Sequence, residues 1–129
     1  MEFSREIAQE TPLFDPTGFD KLIAVAGVDA VVSLSGVFES QGRERLGRIA
    51  DAVEGGDLAA IENETHALGS SAGTFGAMRL HVLSRAAEAA CVAGDSDLAL
   101  SLSRDILEIG DESFNLAVAY IATLPTDIQ

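Results

Sequence analysis

The feature that most constrains this chain is a stop-and-restart signal that occurs twice. Gly55-Gly56-Asp57 and Gly94-Asp95-Ser96 each put glycine where a helix can end, then a side chain able to cap the next one. Around these signals apolar residues recur three and four apart, the spacing of one helix face. Over 29–54 they are Val31, Leu34, Phe38, Leu46, Ile49 and Val53. Over 58–76 they are Leu58, Ile61, Thr65, Leu68, Ala72 and Phe75. Leu80, Leu83, Ala87 and Ala90 share a face over 77–93. Leu98, Leu102, Ile106, Ile109, Leu116 and Tyr120 do so over 97–124, and Pro125 ends that stretch. A shorter helix over 15–26 opens on Asp15-Pro16, read as an N-cap and first helical position, and stops at Gly27.

Strand signals are weak. Aromatic residues are 5% of the chain, Trp is absent, and no Asn-Gly or Asp-Gly turn occurs. Four amphipathic segments with short turns between them predict an all-α fold, an antiparallel up-down-up-down four-helix bundle over 15–124. The 15–26 helix is expected as a short N-terminal lid. Residues 1–14 are expected to be a flexible N-terminus and 125–129 a C-terminal tail.

The chain carries 21 acids against 8 bases, a formal net charge of −13. That balance argues against nucleic acid and anionic membrane as partners, because both are held by clustered Lys and Arg. A hydrophobic content of 47% excludes an acidic disordered tail. The opening Met-Glu-Phe-Ser-Arg-Glu has neither the basic end nor the apolar run of a secretory leader. No stretch approaches the roughly 20 apolar residues of a membrane span. A lone Cys91 excludes an internal disulfide and a thiolate zinc cluster. A cytoplasmic protein is expected.

One segment departs from good helix composition. Gly69, Gly73 and Gly76 fall in or near the third helix, each at a cost of about 1 kcal/mol against alanine. His66 lies about 100° from Thr65 and about 160° from Leu68 on a helix, so it should face solvent. Gly69, Ser70 and Gly73 follow it on that face. The expectation is an exposed imidazole above a shelf almost free of side chains. No acid occurs between Glu64 and Glu88, whereas His66, Arg79, His81 and Arg85 all do. A group that carries phosphate should not be ringed by carboxylates.

The run His66-Ala67-Leu68-Gly69-Ser70-Ser71-Ala72-Gly73-Thr74-Phe75-Gly76-Ala77 resembles the signature of histidine-containing phosphotransfer (HPt) domains. That signature has the form His-x-Leu-Lys-Gly-Ser-(Ser/Ala)-x-x-(apolar)-Gly-Ala. Leu80, Leu83 and Glu88 resemble its continuation, and the helical layout is similar over about 15–124. Two positions depart from it: Gly69 stands where the family has lysine, and Ser70 where it has glycine.

The resemblance implies a phosphorelay intermediate. His66 would accept a phosphoryl group from a phospho-aspartate of one response regulator receiver domain and pass it to another. Partners would be receivers and a hybrid histidine kinase. The chain would have no cofactor of its own, with Mg²⁺ and a lysine supplied by the receiver, and no autonomous kinase or ATP site. No GxxxxGK[ST] or kinase glycine loop is present. The resemblance implies that the lysine replaced by Gly69 helps hold the phosphoryl group, and that Arg79 or Arg85 would have to compensate for its loss. The phosphoryl environment and docking surface are therefore read as Ala67, Gly69, Ser70, Gly73, Arg79 and Arg85, with Met78 and Val82 as a further apolar patch. The family's ring nitrogen would be Nε2.

Blander readings stand beside this one. His66 on its own would be a solvated surface histidine, and His81 is read that way. Glu62 and His66 have one-turn metal spacing, but no second pair appears and no metal site is expected. Cys91 is read as a small buried apolar group and Phe75 as core. Ser70 and Ser71 have no triad partners. The second functional class is a binding-only helical adaptor that docks a receiver or kinase without carrying phosphate.

Overall fold

The computed structural model describes residues 5–125, and those residues contain six helices and no strand. They are α1 Arg5–Glu10, α2 Thr17–Ala26, α3 Val28–Gly55, α4 Leu58–Thr74, α5 Met78–Val92 and α6 Ser96–Ile121. The two stop signals act as read. Gly56 takes φ 63° and its N–H bonds the Ala52 and Val53 carbonyls, while Asp57 accepts from the Ala60 N–H at 3.1 Å. Asp95 caps α6 in the same way, accepting from the Leu98 N–H at 3.2 Å.

The four long helices pack in a closed ring, α3 on α4, α4 on α5, α5 on α6 and α6 back on α3. Their shared core holds Ile49, Leu68, Leu80, Leu102, Ile106 and Phe114, all essentially inaccessible. The α3–α6 seam is set by glycine. A Cβ on Gly42 would meet the Phe114 ring at 2.2 Å, and one on Gly110 would meet Leu46 at 2.6 Å. Arg43 fastens the same seam. Its guanidinium bonds Asp111 and Asn115, each at 2.9 Å, and lies 5.4 Å from the centre of the Phe114 ring.

A second apolar cluster joins α2 to the ends of α3, α4 and α6. Phe19 is fully buried there, with the rings of Phe14, Phe75 and Tyr120 at centroid distances of 5.5–5.8 Å. The Tyr120 hydroxyl donates to Asp20 at 2.7 Å. Phe75 also stacks on Phe38 at 4.9 Å and so bridges the two clusters, as its reading as core requires.

Four details differ from the sequence reading. Leu34 is exposed, and the inward position is taken by Ser35, whose hydroxyl bonds the Val32 carbonyl at 2.8 Å. The polar group is satisfied locally, so a serine can continue a stripe that apolar counting assigns to its neighbour. Leu116 likewise sits at the surface, with Phe114 and Ala117 inward. Helix α6 ends at Ile121, before 124, and residues 123–124 close a tight turn, consistent with the bias against helix before Pro125. Pro16 stands at the N-cap, just outside α2; Asp15 before it accepts from the Thr17 hydroxyl at 2.7 Å and N–H at 2.9 Å, which holds its carboxyl below the usual value.

Residues 5–14, read as part of a flexible end, carry α1 and packed contacts: Ala8 is buried, and the Arg79 N–H bonds the Pro12 carbonyl at 3.1 Å. Residues 1–4 and 126–129 lie outside the described residues. Among the described residues no helix is long and apolar enough to cross a membrane.

Candidate functional site

The site is built where α4 meets α5. The turn between them is fixed by Gly76, at φ 81°, whose carbonyl accepts the Asp15 N–H at 2.8 Å. A Cβ there would sit 2.2 Å from the Asp15 carbonyl oxygen, so only glycine fits. Gly76 is therefore a turn residue just beyond the helix. From this turn the two helices match in register about Ala77. His66 meets Glu88, eleven residues on either side; Gly69 meets Arg85, eight on either side; Gly73 meets His81, four on either side.

His66 projects from the outer face of α4 with 65% of its side chain exposed, as its angle to the apolar stripe predicts. Its Nδ1 lies 2.6 Å from the Glu88 Oε2. Burial disfavours the charged Glu88 carboxyl, but hydrogen bonds from His66 and Arg85, and the charges of both, outweigh this and hold its pKa below the ordinary 4.5. An ionised carboxylate can only accept, so the Nδ1 carries the proton. In the neutral ring the Nε2 lone pair is then free.

Arg85 closes the network. Its Nη1 donates to the Glu88 Oε1 at 3.1 Å and its Nη2 to the Ser70 Oγ at 2.9 Å. The Ser70 hydroxyl in turn leans on the His66 carbonyl at 3.3 Å. Thus His66, Ser70, Arg85 and Glu88 form one hydrogen-bonded group, with Ala67 half-buried beside it.

Three expectations about the surroundings of His66 need correction. Gly69 and Gly73 are not an open shelf. Gly69 is buried: a Cβ there would lie 3.3 Å from the Ser84 Cβ and 3.5 Å from the Arg85 guanidinium carbon. At Gly73 a Cβ would lie 2.8 Å from the His81 Nδ1. Both glycines serve the close approach of α5, so their small size is explained by packing within the chain, and the exposed surface beside His66 is Ser70. Nor is the neighbourhood free of acid. The gap between Glu64 and Glu88 is real along the chain, but the fold brings Glu88 directly to the imidazole. Finally, Arg79 is remote in its bonding: its Nε donates to the Thr11 carbonyl at 2.8 Å and its Nη2 to the Gln9 carbonyl at 3.0 Å, which ties down the N-terminal segment.

His81, read as an ordinary surface residue, is half-buried on Gly73, and its Nδ1–H donates to the Gly69 carbonyl at 2.7 Å. Val82 is partly buried against the main core, and both it and Met78 keep some exposed surface. Cys91 is half-buried; burial first, then Glu62 and Glu88, push its thiol up and keep it protonated. Among the described residues no three His, Cys, Asp or Glu side chains gather as metal ligands would.

Sequence reasoning missed the ion pairs that brace α3 against α4. Glu64 is almost fully buried and accepts from Arg45 at 2.8 Å and Arg48 at 2.9 Å. The one available signal was the arginine pair three residues apart on the polar side of α3.

Among the described residues, then, an all-helical fold presents one strongly exposed imidazole, tethered through Nδ1. The Hpt domain family model matches residues 33–124, and the chain belongs to that family, the histidine phosphotransfer proteins of phosphorelays. Its fold is also that of histidine-containing phosphotransfer protein B (HptB) from Pseudomonas aeruginosa PAO1. The two structures superpose with a TM-score of 0.71 at 20% identity, over 88% of this chain and 94% of that one. No curated protein matches the sequence.

Proposed function

We propose that His66 is the phosphoacceptor of a phosphorelay intermediate working between response regulator receiver domains, one of them supplied by a hybrid histidine kinase. The observation that carries this is the pairing of His66 with Glu88: one ring nitrogen is occupied and protonated, the other exposed. The Nε2 lone pair attacks the phosphorus of the receiver's acyl phosphate. The P–N bond forms, the P–O bond to the aspartyl carboxyl breaks, and the carboxylate leaves with the electron pair. The Nδ1 proton stays in place, so the phosphorylated ring is cationic, and the Glu88 carboxylate stands against that new charge. Passing the group to a second aspartate reverses these steps and restores the neutral ring.

Transfer of this kind needs in-line positioning and charge neutralisation more than covalent chemistry from the protein. A rigid, exposed imidazole on packed helices provides the first. Mg²⁺ and a lysine from the receiver provide much of the second, so the chain works without a cofactor or ATP site of its own. Ala67 and Ser70, flanking His66, form part of the docking face, with Met78 farther along. The turns of two or three residues between the long helices support an antiparallel up-down-up-down bundle. A cytoplasmic setting follows from the partners.

The test is incubation with a phosphorylated receiver and Mg²⁺. Acid-labile, base-stable phosphate should appear on the chain and be absent from His66→Gln. Unlabelled chain that still binds the receiver would instead establish a binding-only adaptor, the reading that the glycine at position 69 keeps open.

A further inference from the structure

Among the described residues Arg43 is held by Glu39, Asp111 and Asn115, Arg45 and Arg48 by Glu64, and Arg79 by backbone carbonyls of the N-terminal segment. Arg85 alone among them enters the His66 hydrogen-bonded group. It lies flat along α4, with its Cδ and guanidinium carbon each 3.5 Å from where a residue-69 Cβ would stand. The bare Gly69 backbone is the bed on which it rests. Its two anchors lie on either side of the imidazole's base: Ser70 one helical turn along α4 from His66, and Glu88 on the Nδ1. The side chain is still 40% exposed, so its guanidinium is not locked away from an incoming group.

The charge balance asks for such a cation. Before transfer, neutral His66, Glu88 and Arg85 sum to no net charge. After transfer the group gains a dianionic phosphoryl and one ring charge, and so carries a net negative charge. From these positions we infer that Arg85 is the chain's own phosphoryl-holding residue: once His66 is phosphorylated at Nε2, its guanidinium releases Ser70 and donates to the phosphoryl oxygens while its other edge stays on Glu88. Guanidinium suits both tasks, because its fork can bond two anions at once. The inference rests on the phosphoacceptor reading of His66 and gives Arg85, which holds Glu88 in the resting protein, a second task in the phosphorylated state.

The experiment loads wild type, Arg85→Ala, Arg85→Lys and the double variant Arg85→Ala with Gly69→Lys from a phosphorylated receiver. The receiver is then removed, and phosphohistidine loss and the ³¹P shift are followed against pH. Circular dichroism confirms the fold of each. The expected result is loss about tenfold faster in Arg85→Ala, as for one charged hydrogen bond removed. The phosphoryl group should also titrate at a higher pH there, and both effects should be partly restored by Arg85→Lys or by the lysine at 69. An Arg85→Ala protein that labels at His66 and matches wild type in lifetime and titration would overturn the inference and leave the phosphoacceptor reading intact. A lower labelling level with an unmoved ³¹P titration would also overturn it, since Arg85 would then act only by holding Glu88. A wild type that takes no phosphate from the receiver would overturn both.

Discussion

The Nδ1 of His66 stands 2.6 Å from the Oε2 of Glu88, across two helices that turn at Gly76-Ala77. The contact joins local structure to chemistry. It fixes the ring's tautomer by giving Nδ1 an acceptor that cannot donate, and the exposure of the ring leaves the Nε2 lone pair open.

The sign of the Glu88 shift makes the contact measurable. Its carboxyl is held below 4.5, so the stabilisation it brings is present above that value and is lost as pH falls through the depressed one. The Glu88 carboxyl carbon, followed by NMR, should titrate below 4.5 in wild type. In His66→Ala or Arg85→Ala the midpoint should move upward, because burial then acts with less opposition. A wild-type midpoint at or above 4.5 would show that the bonds from His66 and Arg85 do not outweigh burial.

Glycines in α3 should respond in opposite ways to the same change. Gly42→Ala pushes a methyl into the Phe114 ring and should destabilise the fold by about 1–3 kcal/mol, despite the gain in helix propensity. At Gly47, also within α3, a Cβ would meet no atom within 4 Å, so Gly47→Ala should stabilise by about 0.5–1 kcal/mol. Denaturant midpoints of the two variants read this directly.

Gly73 and His81 should be coupled. Alanine at 73 displaces the His81 ring and costs its bond to the Gly69 carbonyl. In a His81→Ala background the same alanine no longer meets the ring and gains helix propensity. The double-mutant cycle should give a coupling energy of about 1 kcal/mol, with Gly73→Ala more favourable once His81 is gone. Additive effects would show that the ring does not rest on Gly73.

The helices were legible because their ends are written in local chemistry. Asp57 and Asp95 cap by side-chain acceptance within three residues, and an apolar period needs only one helix to be seen. The exposure of His66 was legible for the same reason, being an angle on a single helix. What surrounds it was not, because Glu88 and Arg85 reach it from another helix and their register depends on where the turn falls. Gly76, read as the end of the third helix, lies in that turn, and nothing local says how α5 rotates about its axis. The glycines misled for a related reason. Gly69 and Gly73 were assigned to an open face, whereas a small residue serves equally to admit a neighbouring helix, and only the neighbour decides. At Ser35 the apolar count failed because a serine bonded to its own helix can sit inward.

The most direct test of the central claim is a long-range ¹H–¹⁵N spectrum of the imidazole nitrogens after phosphorylation by a receiver. The chain has two histidines, so the result can be assigned without ambiguity. The account predicts phosphate on the Nε2 of His66, its Nδ1 still protonated, and His81 unchanged. Phosphate on the Nδ1 of His66, phosphate on His81, or two unaltered rings would contradict it.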